Sequence, residues 1–216
     1  MTRRLIAYGA SGHGKVVVDA ALAEGWEVVG FADDDGAKRG QRIAGRSVVA
    51  AGIDELRRVC EREGALVIVS VGHCAIRKRL FDAVVAAGLT PGSVVHPSAV
   101  LAPGVWVGAG TLIAAGAVVN PATRIGANAI VNTSVSLDHD DVIGDHVHVA
   151  PGAHLGGTVV VGEGTHVGLG ASVANDVTIG SWSMVGAGSV VVRDIPDRVV
   201  AYGCPARIVR ACDEAP

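Results

Sequence analysis

Aromatic side chains are almost missing from this chain: two phenylalanines, two tyrosines and three tryptophans in 216 residues. Phe, Tyr and Trp are the usual space-fillers of a globular core. A chain that is half apolar without them, and that carries 30 glycines, points to a narrow, repetitive interior of Val, Ile, Ala and Gly. A strong charge of one sign is missing as well. The net charge of −3 gives no general attraction for nucleic acid or an anionic membrane. No apolar run reaches the ~20 residues of a membrane span, and the opening MTRRLIAYGASGHG is too briefly apolar for a signal peptide. The cysteines (Cys60, Cys74, Cys204, Cys212) form no CxxC pair and no framework spacing. They suit free thiols in a reducing cytoplasm.

What the chain does have is a period. Written in rows of six, residues 94–195 give 17 rows without a gap, and the second position of every row is Val, Ile or Leu. The third position is Gly, Ala, Asn or Asp in 15 rows, and the sixth is Ala, Val, Thr or Ser in 15. Positions six and two, two residues apart along a strand, point to the same side. A small or turn-forming residue then bends the chain. Half-buried antiparallel strands would need hairpin turns at variable spacing; a fixed period of six is a hexapeptide β-helix.

Residues 1–90 follow another rule. LIAYG reads as a buried strand, GASGHG as a glycine-rich turn, 15–24 as a helix, and EVVGFADDD as a second strand ending in acids. ALVIVSVG and residues 75–87 repeat the strand and helix. Strand–turn–helix–strand is the βαβ signature of a parallel sheet. The turn at residues 9–14 could hold a phosphate on backbone N–H groups at a helix N-terminus. Asp33, 24 residues after Gly9, stands near where an acid meets a ribose. GASGHG lacks the GxGxxG spacing, so a tight turn without a ligand stays open beside a nucleotide-linked substrate.

Taken together, YGASGHGKVV, GHCAIRKRL, the hexapeptide rows with NTSVSLDHDDVIG, and VVAYGCPARIV resemble the hexapeptide-repeat sugar O-/N-acyltransferases of the sialic acid, bacillosamine and perosamine pathways. The resemblance covers essentially the whole chain. It implies a Rossmann-like α/β half domain over 1–90, a left-handed parallel β-helix over 94–195 with three rows per coil, and a C-terminal tail over 196–216. It also implies a homotrimer that uses acetyl-CoA in clefts between neighbouring β-helices. By position, His139 matches the general base and Asp140 the carboxylate that strengthens it. His148 matches a residue beside the acetyl-CoA thioester, and Leu169 and Ala187 match positions lining the CoA arm. Ser11, Gly12, His13, Asp33, Asp34 and Gly72 match positions that hold the nucleotide-sugar. The chain departs from the family pattern at His73, where Asn often follows the Gly, and at Ala187, where Gly is usual.

The row register sorts the histidines. His139 takes position four, a corner, in the one row whose inward sixth position is charged, at Asp141. A broken packing rule with no evident structural gain marks a functional site. His148, His154 and His166 take position one and face outward, with His148 and His166 stacked one coil apart. His146 and His154 read as surface or interface residues. Zinc enzymes on this β-helix, as the resemblance goes, pair histidines five residues apart. No pair among these histidines has that spacing, so no metal is expected.

The expected reaction is direct transfer of acetyl from acetyl-CoA to the amine of a nucleotide-linked 4-amino-sugar, UDP-bacillosamine- or GDP-perosamine-like. His139 takes the proton, and His148 or a backbone N–H stabilises the oxyanion. The diphosphate is expected at residues 9–14, with the sugar reaching across to His139. The alternatives are O-acetylation of a sugar such as sialic acid, and a non-catalytic sugar-nucleotide-binding β-helix.

Overall fold

The computed structural model describes residues 3–212. The first half is a five-stranded sheet of β1 (Arg4–Tyr8), β2 (Glu27–Asp33), β3 (Arg42–Ile43), β4 (Arg46–Ala51) and β5 (Leu66–Val69), in the order β3-β4-β2-β1-β5. Pairings β1–β2, β1–β5 and β2–β4 are parallel. Helix α1 (Gly12–Ala23) joins β1 to β2, α2 (Gly52–Glu63) joins β4 to β5, and α3 (Cys74–Ala86) follows β5. Strand alternation divides the core in two. Leu5 and Ala7 pack with Val17 and Val18 of α1, whereas Ile6 and Tyr8 pack with Leu56 of α2 and Leu80 of α3.

Sequence reasoning left α2 unassigned, although its ends carry ordinary signals. Asp54 and Glu55 occupy its first turn, Arg62 its last, and Gly64 closes it at φ 61°, the charge order and left-handed cap that a helix favours.

From β6 (Val94–Val95) to β22 (Val190–Val191), two-residue strands recur every six residues. Every third strand pairs in parallel with the next coil, so the strands form three faces of a left-handed prism. The corners need a left-handed residue, and the fifth row position has positive φ at every row from residue 104 to 188. Seven of these residues are glycine; Asp140 is among the others, at φ 62°. Ile113, Val131, Val149, Val167 and Val185 fill the interior, all at position two as the pattern requires.

The faces differ. On the face built from β6, β9 (Leu112–Ile113), β12 (Ile130–Val131), β15 (His148–Val149), β18 (His166–Val167) and β21 (Met184–Val185), position-one residues Val94, Leu112 and Ile130 are buried and join the α1 core. On the other faces Val100 is 61% and Trp106 54% exposed. The first half therefore sits on one face of the prism. Arg77 of α3, 1% exposed, is driven into that seam. Its Nε donates to Asn128 O (2.9 Å), Nη1 to Val71 O (3.1 Å) and Gly72 O (3.0 Å), and Nη2 to His146 O (2.6 Å) and Val147 O (3.2 Å).

Residues expected as a tail are partly structured. β23 (Val199–Gly203) adds a parallel rung beside β21, and β24 (Ala206–Ala211) folds back on it antiparallel.

Candidate active site

Strand order reverses at β1, so the crevice beyond the C-terminal ends of β1 and β5 is the switch point where such sheets bind ligands. Gly9 and Gly14 shape the turn there. A Cβ on Gly9, at φ 123°, would lie 2.7 Å from Val71 Cγ2, and one on Gly14 would lie 2.5 Å from Gly9 O. Ser11 stands at the N-cap of α1 without using its side chain as a cap, and Gly12 has open space around it. The first N–H groups of the helix thus face outward, as anion sites do.

Asp33 closes this loop by accepting from Ala10 N (2.8 Å), Asp35 N (3.0 Å) and Lys38 Nζ (2.9 Å). Burial alone would lift its carboxyl, but Lys38 and these N–H groups bring it below the usual range. Asp34 accepts from the Tyr8 hydroxyl; burial and this carboxylate push the phenol well up. Asp33, Asp34, Tyr8, Gly9 and Arg79 line one cavity of about 200 Å³. Arg79, a cation beside two acids, was not singled out from the sequence; within RKRL it looks like any exposed helix residue.

A second cavity, of about 340 Å³, is lined by Gly72, His148, His166, Cys74 and Trp182. His148 lies outside the prism, as its row position required, but its face is covered by the chain's own first half rather than open to a neighbour. Its Nδ1 donates to Gly72 O (3.0 Å), and Asn132 Nδ2 donates to its Nε2 (3.1 Å). Both ring nitrogens are engaged, so His148 has no N–H left for an oxyanion. Burial, then the neighbouring His166, holds it well below the usual imidazole range and hence neutral. His166 stacks on it edge-on at 4.8 Å, one coil on.

His13 brings the two groups together. Its ring lies 6.0 Å from that of His148, and its buried Nε2 has no hydrogen-bond partner among the described residues. Burial lowers it to about 4. His13, Gly72 and His148, expected to touch sugar-nucleotide and acyl donor respectively, therefore share one region. Leu169 and Ala187 are exposed on the corner that follows this face, one coil apart, with Gly188 N donating to Leu169 O at 2.8 Å. His73 caps α3 by accepting from Ile76 N at 3.4 Å.

His139 lies elsewhere. Its row begins on β13 (Ser136–Leu137) and continues to β14 (Val142–Ile143), the two faces that do not carry the first half. The corner between them is opposite the covered face. Six residues per side make the prism at most about 20 Å across, and its filled core stands between. A sugar held by residues 9–14 is thus separated from the same chain's His139 by the prism.

The imidazole is exposed, with Nδ1 2.8 Å from Asp140 Oδ2. That hydrogen bond is the main cause of its raised basicity, aided by the charges of Asp138, Asp140 and Asp141. Asp138 accepts from His139 N (2.8 Å) and Asn120 Nδ2 (2.9 Å). Asp141 is fully buried and does have a structural gain: it accepts from Asp138 N (3.0 Å) and Val159 N (2.8 Å). His154 is exposed and bonded to Ser136 Oγ at 2.8 Å. His146, expected at the surface or at an interface, is buried under α3, edge-on to Phe81 at 5.6 Å. Among the described residues no three His, Cys, Asp or Glu side chains converge as metal ligands do, and no helix is long and apolar enough to cross a membrane.

Comparison with known proteins places this geometry among relatives. The PglD N-terminal domain family model matches residues 4–84. A variant of perosamine N-acetyltransferase from Caulobacter crescentus, solved with CoA and GDP-perosamine, is 37% identical across 95% of this chain and 96% of its own, at a TM-score of 0.88. The acetyltransferase domain of PglB from Neisseria gonorrhoeae, solved with acetyl coenzyme A, is 34% identical across 97% of this chain and 100% of its own, at 0.89. WeeI from Acinetobacter baumannii is 26% identical across 96% and 100%, at 0.80. The comparison with curated proteins gives no match.

Proposed function

This chain belongs to the family of the perosamine and PglB sugar N-acetyltransferases, and from that premise we propose that it moves acetyl from acetyl-CoA to the amino group of a nucleotide-linked 4-amino-sugar. Residues 1–90 hold the nucleotide. Ser11, Gly12 and His13 take the diphosphate side, Asp33 and Asp34 the nucleoside, and Gly72 the sugar. Residues 94–195 supply the chemistry. The carrying observation is the exposed His139–Asp140 pair on the same prism as a switch-point crevice whose helix N-terminus is open.

The acceptor nitrogen attacks the thioester carbonyl directly, since among the described residues no Ser or Cys pairs with His139 as a nucleophile. His139 takes the proton as the nitrogen becomes positively charged, and Asp140 holds the resulting imidazolium. His148, fully hydrogen-bonded, forms a wall beside the thioester, which leaves a backbone N–H to stabilise the oxyanion. Leu169 and Ala187 line the CoA arm.

Because base and crevice lie on opposite sides of one prism, a working site joins two copies: the crevice of one and His139 of the next. Such a contact is heterologous and must close into a ring. We place three copies in it, as the family resemblance implies. The four free thiols suit a reducing, cytoplasmic setting, and the product suits glycan biosynthesis.

A histidine base serves amine and hydroxyl alike, so the test compares acceptors. UDP-, GDP- and dTDP-linked 4-amino-sugars are assayed against free sialic acid at matched concentrations, with released CoA thiol as readout. The expected result is the highest kcat/KM for one of the nucleotide-amino-sugars. Equal acetylation of the sugar lacking the amine would establish O-acetylation, and no thiol release with any acceptor would leave a binding protein.

A further inference from the structure

Thr111 and Thr165, buried at position six of their rows, and the partly buried Ser93 just before the first row share one bonding pattern. Thr111 Oγ1 donates to Gly126 O (2.8 Å), 15 residues on, and accepts from Ala129 N (3.0 Å), 18 residues on. Ser93 does the same with Gly108 O (3.0 Å) and Thr111 N (3.3 Å), and Thr165 with Gly180 O (2.5 Å) and Ser183 N (3.0 Å). Each hydroxyl stitches one coil to the next.

Asp141 keeps half of that pattern. Its Oδ1 accepts from Val159 N at 2.8 Å, 18 residues on. A carboxylate cannot donate to a carbonyl, so its second oxygen turns back and accepts from Asp138 N at 3.0 Å, within its own corner. A serine or threonine would satisfy the coil above and leave Asp138 N alone. The acid is therefore more than the stitch requires, and the extra bond ends one residue before His139. Asp138 in turn accepts from His139 N at 2.8 Å, so the chain of contacts runs from the prism interior to the His139 backbone.

We propose that Asp141 is a positioning residue for the base: from inside the prism its carboxylate fixes the Asp138–His139 backbone and keeps a negative charge beneath the imidazole. This rests on the assignment of His139 as the base of an acetyltransferase. The charged or titratable groups facing Asp141 are Asp138, His139 and Asp140 of its own corner. Thr123 and Asn120 from the coil below and Gly157 and Val159 from the coil above are uncharged. Burial raises the Asp141 carboxyl to about 7.

The test is Asp141→Ser, which restores the residue type of neighbouring rows and keeps an acceptor for Val159 N, with Asp141→Asn as a second, isosteric variant. The imidazole of His139 is titrated by NMR in each, alongside kcat against pH. In Asp141→Ser the imidazole midpoint and the acid limb of kcat should both move to lower pH. kcat should fall about tenfold, part of the ~10²–10⁴ a general base supplies, with KM for acetyl-CoA unchanged. Asp141→Asn should give the same shift with a lower thermal midpoint. An unmoved imidazole titration in folded Asp141→Ser protein would overturn the proposal. If the wild-type chain acetylates no amino-sugar, the functional reading fails, while the titration still decides the role of Asp141.

Discussion

His139 and Asp140 are adjacent in sequence, yet their side chains meet, Nδ1 to Oδ2 at 2.8 Å. Sequence neighbours normally diverge on an extended chain. Here Asp140 is the corner residue, at φ 62°, and that turn brings its carboxylate round to the imidazole. Replacing His139 with Ala should therefore lower kcat by at least about 10²-fold, within the general-base range, with CoA affinity measured by calorimetry unchanged. Asp140→Asn keeps an acceptor but removes the charge, and its loss should be smaller. Wild-type turnover in His139→Ala protein would remove His139 as the base.

Gly157 offers a test that leaves both of these residues in place. A Cβ there would lie 2.6 Å from His139 Cε1, while the backbone at 157 has no left-handed φ that would exclude alanine. Gly157→Ala should push the ring off Asp140. We expect a lower kcat, a His139 midpoint moved to lower pH and an unchanged melting temperature.

Two inactive variants should restore one another if the site joins two copies. His139→Ala supplies an intact crevice, and Asp33→Ala supplies an intact base. Mixed and reassembled, they should regain thiol release that neither shows alone, and light scattering should report a trimer at micromolar concentration. A monomer, or a mixture as inactive as its parts, would contradict the shared site.

Acid should loosen the seam. Burial holds His13 and His146 at about 4, against an ordinary 6.5, and His148 well below that ordinary value. The unfolded chain binds these protons first, so stability is full above pH 6.5 and is lost as pH falls from 6.5 toward 4. Asp141, raised to about 7, works in the opposite direction, but it is one group against three. The melting temperature should decline across that window, and His146→Gln should flatten the slope.

Arg77→Leu should cost about 3 kcal/mol or more, read from urea midpoints, because several buried carbonyls lose a charged donor at once. Acetyl transfer should weaken as well, since Gly72 O accepts from both Arg77 and His148.

How much of this could be read from the sequence depends on distance along the chain. The prism was legible because its rule is local: six residues, one large aliphatic, one corner. His139 stood out in the sequence through the family resemblance and through Asp138, Asp140 and Asp141 beside it. Arg77 was not legible, since CAIRKRLF reads as a helix with ordinary surface cations. Nor was the burial of His146 and His148, because what covers them is α3 and Gly72, some 70 residues earlier, and a six-residue period says nothing about which face is covered. Nor does the period say that crevice and base lie on opposite sides of the prism. That emerges only when rows are assigned to faces.

The stripe of Val94, Leu112 and Ile130, buried with α1 in a core that both halves share, limits how new specificities arise in this architecture. A foreign nucleotide-binding half joined at residue 90 would meet an apolar surface cut to fit another helix, and Asn128, His146 and Val147 would offer their carbonyls to no guanidinium. Recombination therefore has to carry the matching prism face along with the donor half, or else leave the junction alone and vary the crevice by point substitution at Asp33, Asp34 and Arg79.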